Sequence, residues 1–172
     1  MAIRRKKIES LVEDLLTAHQ IKEPPVPVER IAVAKGARIF YQSLEDEMSG
    51  FLYRDKAQAV IGINTHHPAV RQNFTTAHEL AHLLLHDQEQ FHIDGKFRFR
   101  LKDDVSTQND AEREANIFAA SLLMPERFLR ADLLDEEFVD LDDDSLSELA
   151  RTYGVSTQAL VIRLKNLGYI PE

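Results

Sequence analysis

Two histidines four residues apart, His78 and His82, with Glu79 directly after the first, lie in the stretch R-Q-N-F-T-T-A-H-E-L-A-H-L-L-L-H from Arg71 to His86. On a helix, residues four apart share a face, so both imidazoles can aim at one point in space. Val70, Phe74, Ala77, Ala81 and Leu84 recur at three- and four-residue intervals. That periodicity predicts a helix with one apolar stripe toward a core and the histidines along its border. Pro68 suits a first helical turn, where its missing N–H costs nothing. Two neutral imidazoles that converge suit Zn²⁺, which in catalytic sites takes three protein ligands and leaves a position for water. Glu79 can lean over that position and take a proton.

An H-E-x-x-H arises by chance in roughly 2–3% of chains of this length and composition, so a third ligand has to decide the matter. His86 is eight residues beyond His78, about 12 Å along a continuous helix. Zinc–nitrogen bonds are about 2 Å, so the two cannot share one ion. His86 reads instead as a helix-end residue facing the terminal carbonyls. The better candidate lies in A-E-R-E-A-N-I-F-A-A-S-L-L-M-P, Ala111 to Pro125, where Ala115, Phe118, Ala119, Leu122 and Leu123 again have helical spacing. Glu112 and Asn116 share one face of that helix, and Glu114 points to its other side. Glu112 is a candidate third ligand, its plainer reading being a solvated carboxylate at a helix start. Asn116 is placed to accept a hydrogen bond from a ligating histidine and fix its tautomer.

The segments F-T-T-A-H-E-L-A-H-L-L-L-H and E-x-x-A-N-x-F-A-A-S-L-L-M-P together resemble the ImmA/IrrE family of zinc metallopeptidases. The likeness extends to K-E-P-P-V-P-V-E-R-I-A, S-G-F-L-Y-R-D, A-V-I-G-I-N and Y-G-V-S-T-Q-A-L-V-I-R-L-K-N-L-G-Y-I, nearly the whole chain. It implies a zincin-like, gluzincin-type fold with His78, His82 and Glu112 as zinc ligands and Glu79 as the catalytic glutamate. Ala81 stands where many members carry Gly. The resemblance also implies a narrow protein substrate, a helix-turn-helix repressor cut to release stress-response or mobile-element genes. In metalloproteases of this type an edge strand aligns an extended peptide beside the zinc, and the Ala57–Asn64 strand is the candidate here. Tyr53 is a candidate transition-state stabiliser, a role phenols can fill.

Composition narrows the alternatives. The 172 residues, 44% of them hydrophobic, suit one compact domain, or one domain with a small appendage. Without cysteine there is no thiolate site, so a metal must be held by histidine and carboxylate. No apolar run approaches a membrane span. The start, M-A-I-R-R-K-K, is followed by the acids of I-E-S-L-V-E-D-L-L, which exclude a signal core and lead us to expect a cytoplasmic protein. A net charge of −8 argues against a broad nucleic-acid surface. Arg4, Arg5, Lys6 and Lys7 read as the solvated basic end of an amphipathic helix.

Along the chain, Lys6 to His19 and Val28 to Ala34 read as helices, joined by a proline-rich connector. Ala37–Gln42, Gly50–Arg54 and Ala57–Ile63 read as three antiparallel strands packed beside the metal helix. Phe91 to Leu101, with alternating Phe97-Arg98-Phe99-Arg100, is a further strand candidate, and Asp103–Asn109 a loop over the site. After Pro125 the chain turns acidic, ten acids against three basic residues from Ala131 to Glu172. Asp142-Asp143-Asp144 resembles a helix cap, and Ser145–Tyr153, Gly154, Ser156–Asn166 has the pattern of a helix-turn-helix. The acidity there disfavours DNA, because phosphate contacts supply most of the affinity. The expectation is an α+β fold, a peptidase domain over 1–130 and a small helical, helix-turn-helix-like subdomain over 131–172. Two rivals remain: a non-cleaving, zinc-containing module that binds a repressor or toxin, and a DNA-binding regulator.

Overall fold

A computed structural model describes residues 3–86, 91–94, 107–134 and 142–171, with the backbone alone at 91–94 and 107–109. The described residues form α1 (Arg5–Ala18), α2 (Val28–Ala34), β1 (Ala37–Gln42), β2 (Gly50–Arg54), β3 (Ala59–Asn64), α3 (Ala69–Leu85) and β4 (Phe91–Asp94). They continue with α4 (Thr107–Leu123), α5 (Glu126–Leu134), α6 (Asp143–Tyr153) and α7 (Thr157–Leu167). It is a mixed α+β fold. None of these helices is long and apolar enough to cross a membrane.

The antiparallel sheet expected from the sequence is in fact mixed, in the order β1-β3-β2-β4. β2 and β3 form a hairpin whose turn is closed by Asp55: its Oδ1 accepts from Ala57 N at 2.7 Å and Gln58 N at 3.0 Å, the local side-chain bonding that favours Asp in turns. The loop between β1 and β2 carries the chain across the sheet, so β3 inserts between them and pairs parallel with β1, Ala37 opposite Ala59. Asn64, fully buried, holds that loop. Its Oδ1 accepts from Leu44 N and His66 N, and its Nδ2 donates to the carbonyls of Glu45 and Met48. β3 is therefore an interior strand flanked on both sides. The expectation that the Ala57–Asn64 strand is a free edge for a peptide is corrected: its backbone groups are spent on β1 and β2. β4 pairs antiparallel with β2, Tyr53 opposite Phe91. Residues 97–106, which hold the alternating Phe-Arg segment and most of the expected loop, lie outside the described residues.

β2 runs alongside α3. At one end Gly50 faces Thr75, where a Cβ would lie 2.6 Å from Thr75 Cγ2 and 2.6 Å from the carbonyl oxygen of Gly62. At the other, Arg54 donates to the carbonyls of Leu83 and His86. Only a residue without a side chain lets strand and helix approach this closely. Gly50→Ala is expected to cost about 1–3 kcal/mol by overpacking. Thermal unfolding should show it as a fall in Tm of roughly 2–12 °C.

The single apolar stripe expected on α3 understates its burial. Thr75 to His82 are buried without interruption, whereas Val70 is exposed. The sheet, α2 and α4 pack around the helix, so its central turns meet protein on every side. α1 and α4 follow the simpler rule: Ile8, Val12, Leu15 and Leu16 on one, Ala115, Phe118, Ala119, Leu122 and Leu123 on the other, are buried in one shared core. α5, which the sequence reading did not pick out, contributes Phe128 and Leu129. The C-terminal helices begin and end on local signals. Asp142 Oδ1 accepts from Ser145 N and caps α6, Ser156 Oγ accepts from Ala159 N and caps α7, and Gly154 and Gly168 end them at φ 65° and 78°. Tyr153 is buried with its hydroxyl donating to Asp132 at 2.5 Å. Burial, with the bond to Asp132 and its charge, pushes that phenol far above its ordinary range.

Candidate metal centre

α3 and α4 bring the charged pattern of the sequence to one point. His78 and His82 are 0% and 1% exposed, buried rather than bordering the core as the stripe suggested. Their Nε2 atoms lie 3.1 Å apart. The Glu112 carboxylate on α4 reaches both, Oε2 at 3.3 Å from His78 Nε2 and Oε1 at 3.2 Å from His82 Nε2. Among the described residues this is the group of histidine and carboxylate side chains that could hold a metal ion. Glu112 is half-buried, not the solvated helix-start carboxylate of the plainer reading.

The donor chemistry fits a metal. Asn116 Oδ1 lies 3.1 Å from His78 Nδ1, and an amide oxygen can only accept, so it selects the tautomer with hydrogen on Nδ1. The lone pair of His78 Nε2 then faces the second imidazole and the carboxylate. Tetrahedral zinc with bonds of about 2.0–2.1 Å separates its ligand atoms by about 3.4 Å, close to the three distances here. Two imidazole nitrogens and a carboxylate held this near each other could hold a metal ion among them. Asn116→Ala, which frees the imidazole and leaves the His78, His82 and Glu112 group intact, is expected to weaken metal binding there about 10–100-fold, measured by competition with a chelator.

Glu79 is fully buried on α3, about 100° round the helix from His78 and about 60° from His82. Carboxylates are almost never fully buried unless paired, so a solvated helix face does not describe it. Tyr53 is exposed on β2, and its hydroxyl donates to Asp55 Oδ2 at 3.1 Å. That bond and the Asp55 charge hold the phenol above its usual range.

The sequence profile of the Peptidase_M78 family, described as the IrrE N-terminal-like domain, matches residues 32–165. The chain belongs to that family. The IrrE N-terminal-like profile thus spans both helices of the metal centre and runs into α7. Among curated protein sequences no match is found. Among solved structures the chain is similar to a Mycobacterium tuberculosis transcriptional regulator, at 17% identity and a TM-score of 0.66. The alignment covers 93% of this chain and 46% of that one, so the chain spans less than half of its neighbour. At that identity the likeness speaks to the fold.

Around the IrrE N-terminal-like centre the structure assigns Arg4 differently from the sequence reading. The C-terminal carbonyls of α3 are met by Arg54, and by Arg4 Nη2 on Leu85 O at 3.4 Å. His86 ends the helix, as the sequence suggested, and its ring packs beside His82, centroids 5.3 Å apart, with Nε2 3.9 Å from Glu114 Oε2. Arg4 is not part of a solvated basic end. It is clamped on Glu114, a carboxylate buried on the side of α4 away from Glu112. The Arg4 hydrogen bonds hold that carboxyl below its usual range. Nothing local in R-R-K-K distinguishes Arg4 from its neighbours; its partner is 110 residues away.

Proposed function

We propose that this chain is a zinc-dependent endopeptidase that cuts a helix-turn-helix repressor at a specific site in the cytoplasm. The observation that carries the reading is the convergence of His78, His82 and Glu112 beside a fully buried Glu79 on the same helix. In this reading the two histidines and Glu112 hold the ion, and Asn116 keeps the His78 lone pair directed at it. Zinc bound there would polarise the scissile carbonyl and lower the pKa of water toward about 7. Glu79 accepts the proton of the attacking water and passes it to the leaving amine. The M. tuberculosis neighbour, a transcriptional regulator, and the family resemblance both support a substrate in gene control. We place the peptidase machinery in residues 1–130 and assign 131–172 to packing or substrate docking. The acidity of that segment weighs against DNA as its partner.

A second reading keeps the zinc and the fold but binds a repressor or toxin without cutting it. One observation favours it: β2, the strand beside α3, has both edges taken, by β3 and β4. An extended peptide therefore finds no open backbone edge on it. The test is incubation with helix-turn-helix repressors encoded in the same gene neighbourhood, with added Zn²⁺ and with a chelator. One defined, chelator-sensitive cut supports the peptidase. Tight binding of repressor by the zinc-loaded protein, with the partner left intact, would overturn it in favour of the sequestering module.

A further inference from the structure

We infer that Arg4, at the entry to α1, is a positioning residue for the metal centre, a reading that rests on zinc being held by His78, His82 and Glu112. Three donors of Arg4 converge on Glu114: its backbone N and Nε reach Oε1 at 2.9 and 3.0 Å, and Nη2 reaches Oε2 at 2.5 Å. The same Nη2 also reaches the Leu85 carbonyl at the end of α3. One guanidinium thereby bridges the helix that carries both histidines and the helix that carries Glu112. The forked geometry matters, because planar guanidinium–carboxylate pairing sets orientation as well as distance.

The position along α4 explains why this contact governs a ligand. Asp110, Ala111, Glu112 and Arg113 are partly or fully exposed, and the first buried side chains of the helix among the described residues are Glu114 and Ala115. Glu112 thus lies upstream of the apolar anchor formed by Ala115, Phe118 and Ala119. Glu114 is the buried residue next along the chain from Glu112, on the opposite side of the same turn, and Arg4 holds it. Without the Arg4 guanidinium, the buried carboxylate loses its forked pairing and keeps the backbone N of residue 4 and the His86 ring at 3.9 Å; a shift of the start of α4 would restore the lost solvation. Glu112, two residues away, shifts with it, whereas metal–ligand distances tolerate about 0.2 Å.

The experiment measures zinc Kd by chelator competition and the visible spectrum of the Co²⁺-loaded protein, which reports coordination geometry, alongside the apo-protein Tm. The wild type is compared with Arg4→Ala, Arg4→Lys and the double variant Arg4→Ala/Glu114→Gln. We expect Arg4→Ala to weaken zinc about 10–100-fold, the range for residues that orient ligands, and to alter the Co²⁺ spectrum. Arg4→Lys should recover part of the loss, since an ammonium makes one contact but not the fork. Glu114→Gln should rescue Arg4→Ala, because a neutral amide has less need to reach water. A clamp that serves stability alone lowers Tm and leaves Kd and the Co²⁺ spectrum at wild-type values in the variants; that result overturns the inference. If Arg4→Ala does not fold, the Arg4→Lys and double variants decide by the same readouts. A wild type that binds neither metal removes the metal centre itself, and with it the inference, and is told apart by the wild-type arm alone.

Discussion

Glu79→Gln is expected to keep its zinc and to lose peptide hydrolysis by about 10²–10⁴-fold, the span that a positioned general base contributes. The substitution is close to isosteric at a side chain that is 0% exposed, so packing changes little and the amide simply cannot accept the proton. The histidines and Glu112 remain on their present contacts, 3.1 to 3.3 Å from one another. Metal content and single-site cleavage of a repressor, measured on the same preparation, separate the two effects. A variant that holds zinc and cuts as fast as the wild type would remove Glu79 from the chemistry. A variant without zinc would assign Glu79 to holding the site rather than to proton transfer.

Glu112→Ala is expected to weaken zinc by more than about 100-fold, beyond the range set by residues that only orient ligands. It deletes the one anionic donor of the cluster and leaves two imidazoles, fewer than the three protein ligands of catalytic zinc sites. Of the three proposed ligands, Glu112 is the cleanest to remove. Its side chain is 35% exposed against 0% and 1% for the histidines, so truncation leaves no closed cavity and the apo protein should unfold near its wild-type temperature. The difference appears on adding metal. Zinc at 1,000 times the wild-type Kd stabilises the wild type by about 4.1 kcal/mol, and most of that increment should vanish in the variant. If zinc raises the Tm of both proteins equally, Glu112 is not a ligand.

These two substitutions probe the part of the molecule that was most legible in the sequence. The spacing of His78 and His82, and the stripe from Ala115 to Leu123, are properties of a helix of 3.6 residues per turn and need no knowledge of the rest of the fold. Helix ends were legible for the same reason: Asp142 and Ser156 cap with their own side chains, and Gly154 takes the left-handed conformation glycine allows. The sheet was less so. Each strand's composition marks it as a strand, but the same three strands are compatible with several orders. The insertion of β3 between β1 and β2, and the addition of β4 from beyond α3, come from the way the β1–β2 loop crosses.

Local periodicity also reports one face of a helix at a time. It could not show that the central turns of α3 are enclosed on all sides, because that depends on the sheet, α2 and α4 arriving from different parts of the chain. What the sequence by itself determined is the content of the site: a helix presenting two imidazoles and a glutamate, and a second helix presenting Glu112 and Asn116. Only the tertiary structure decided that Asn116 meets His78, that Arg54 meets the carbonyls of Leu83 and His86, and that Arg4 holds Glu114. Those pairings join residues from 29 to 110 positions apart, and no local preference of the chain encodes them; they exist only once packing has set the distances between elements.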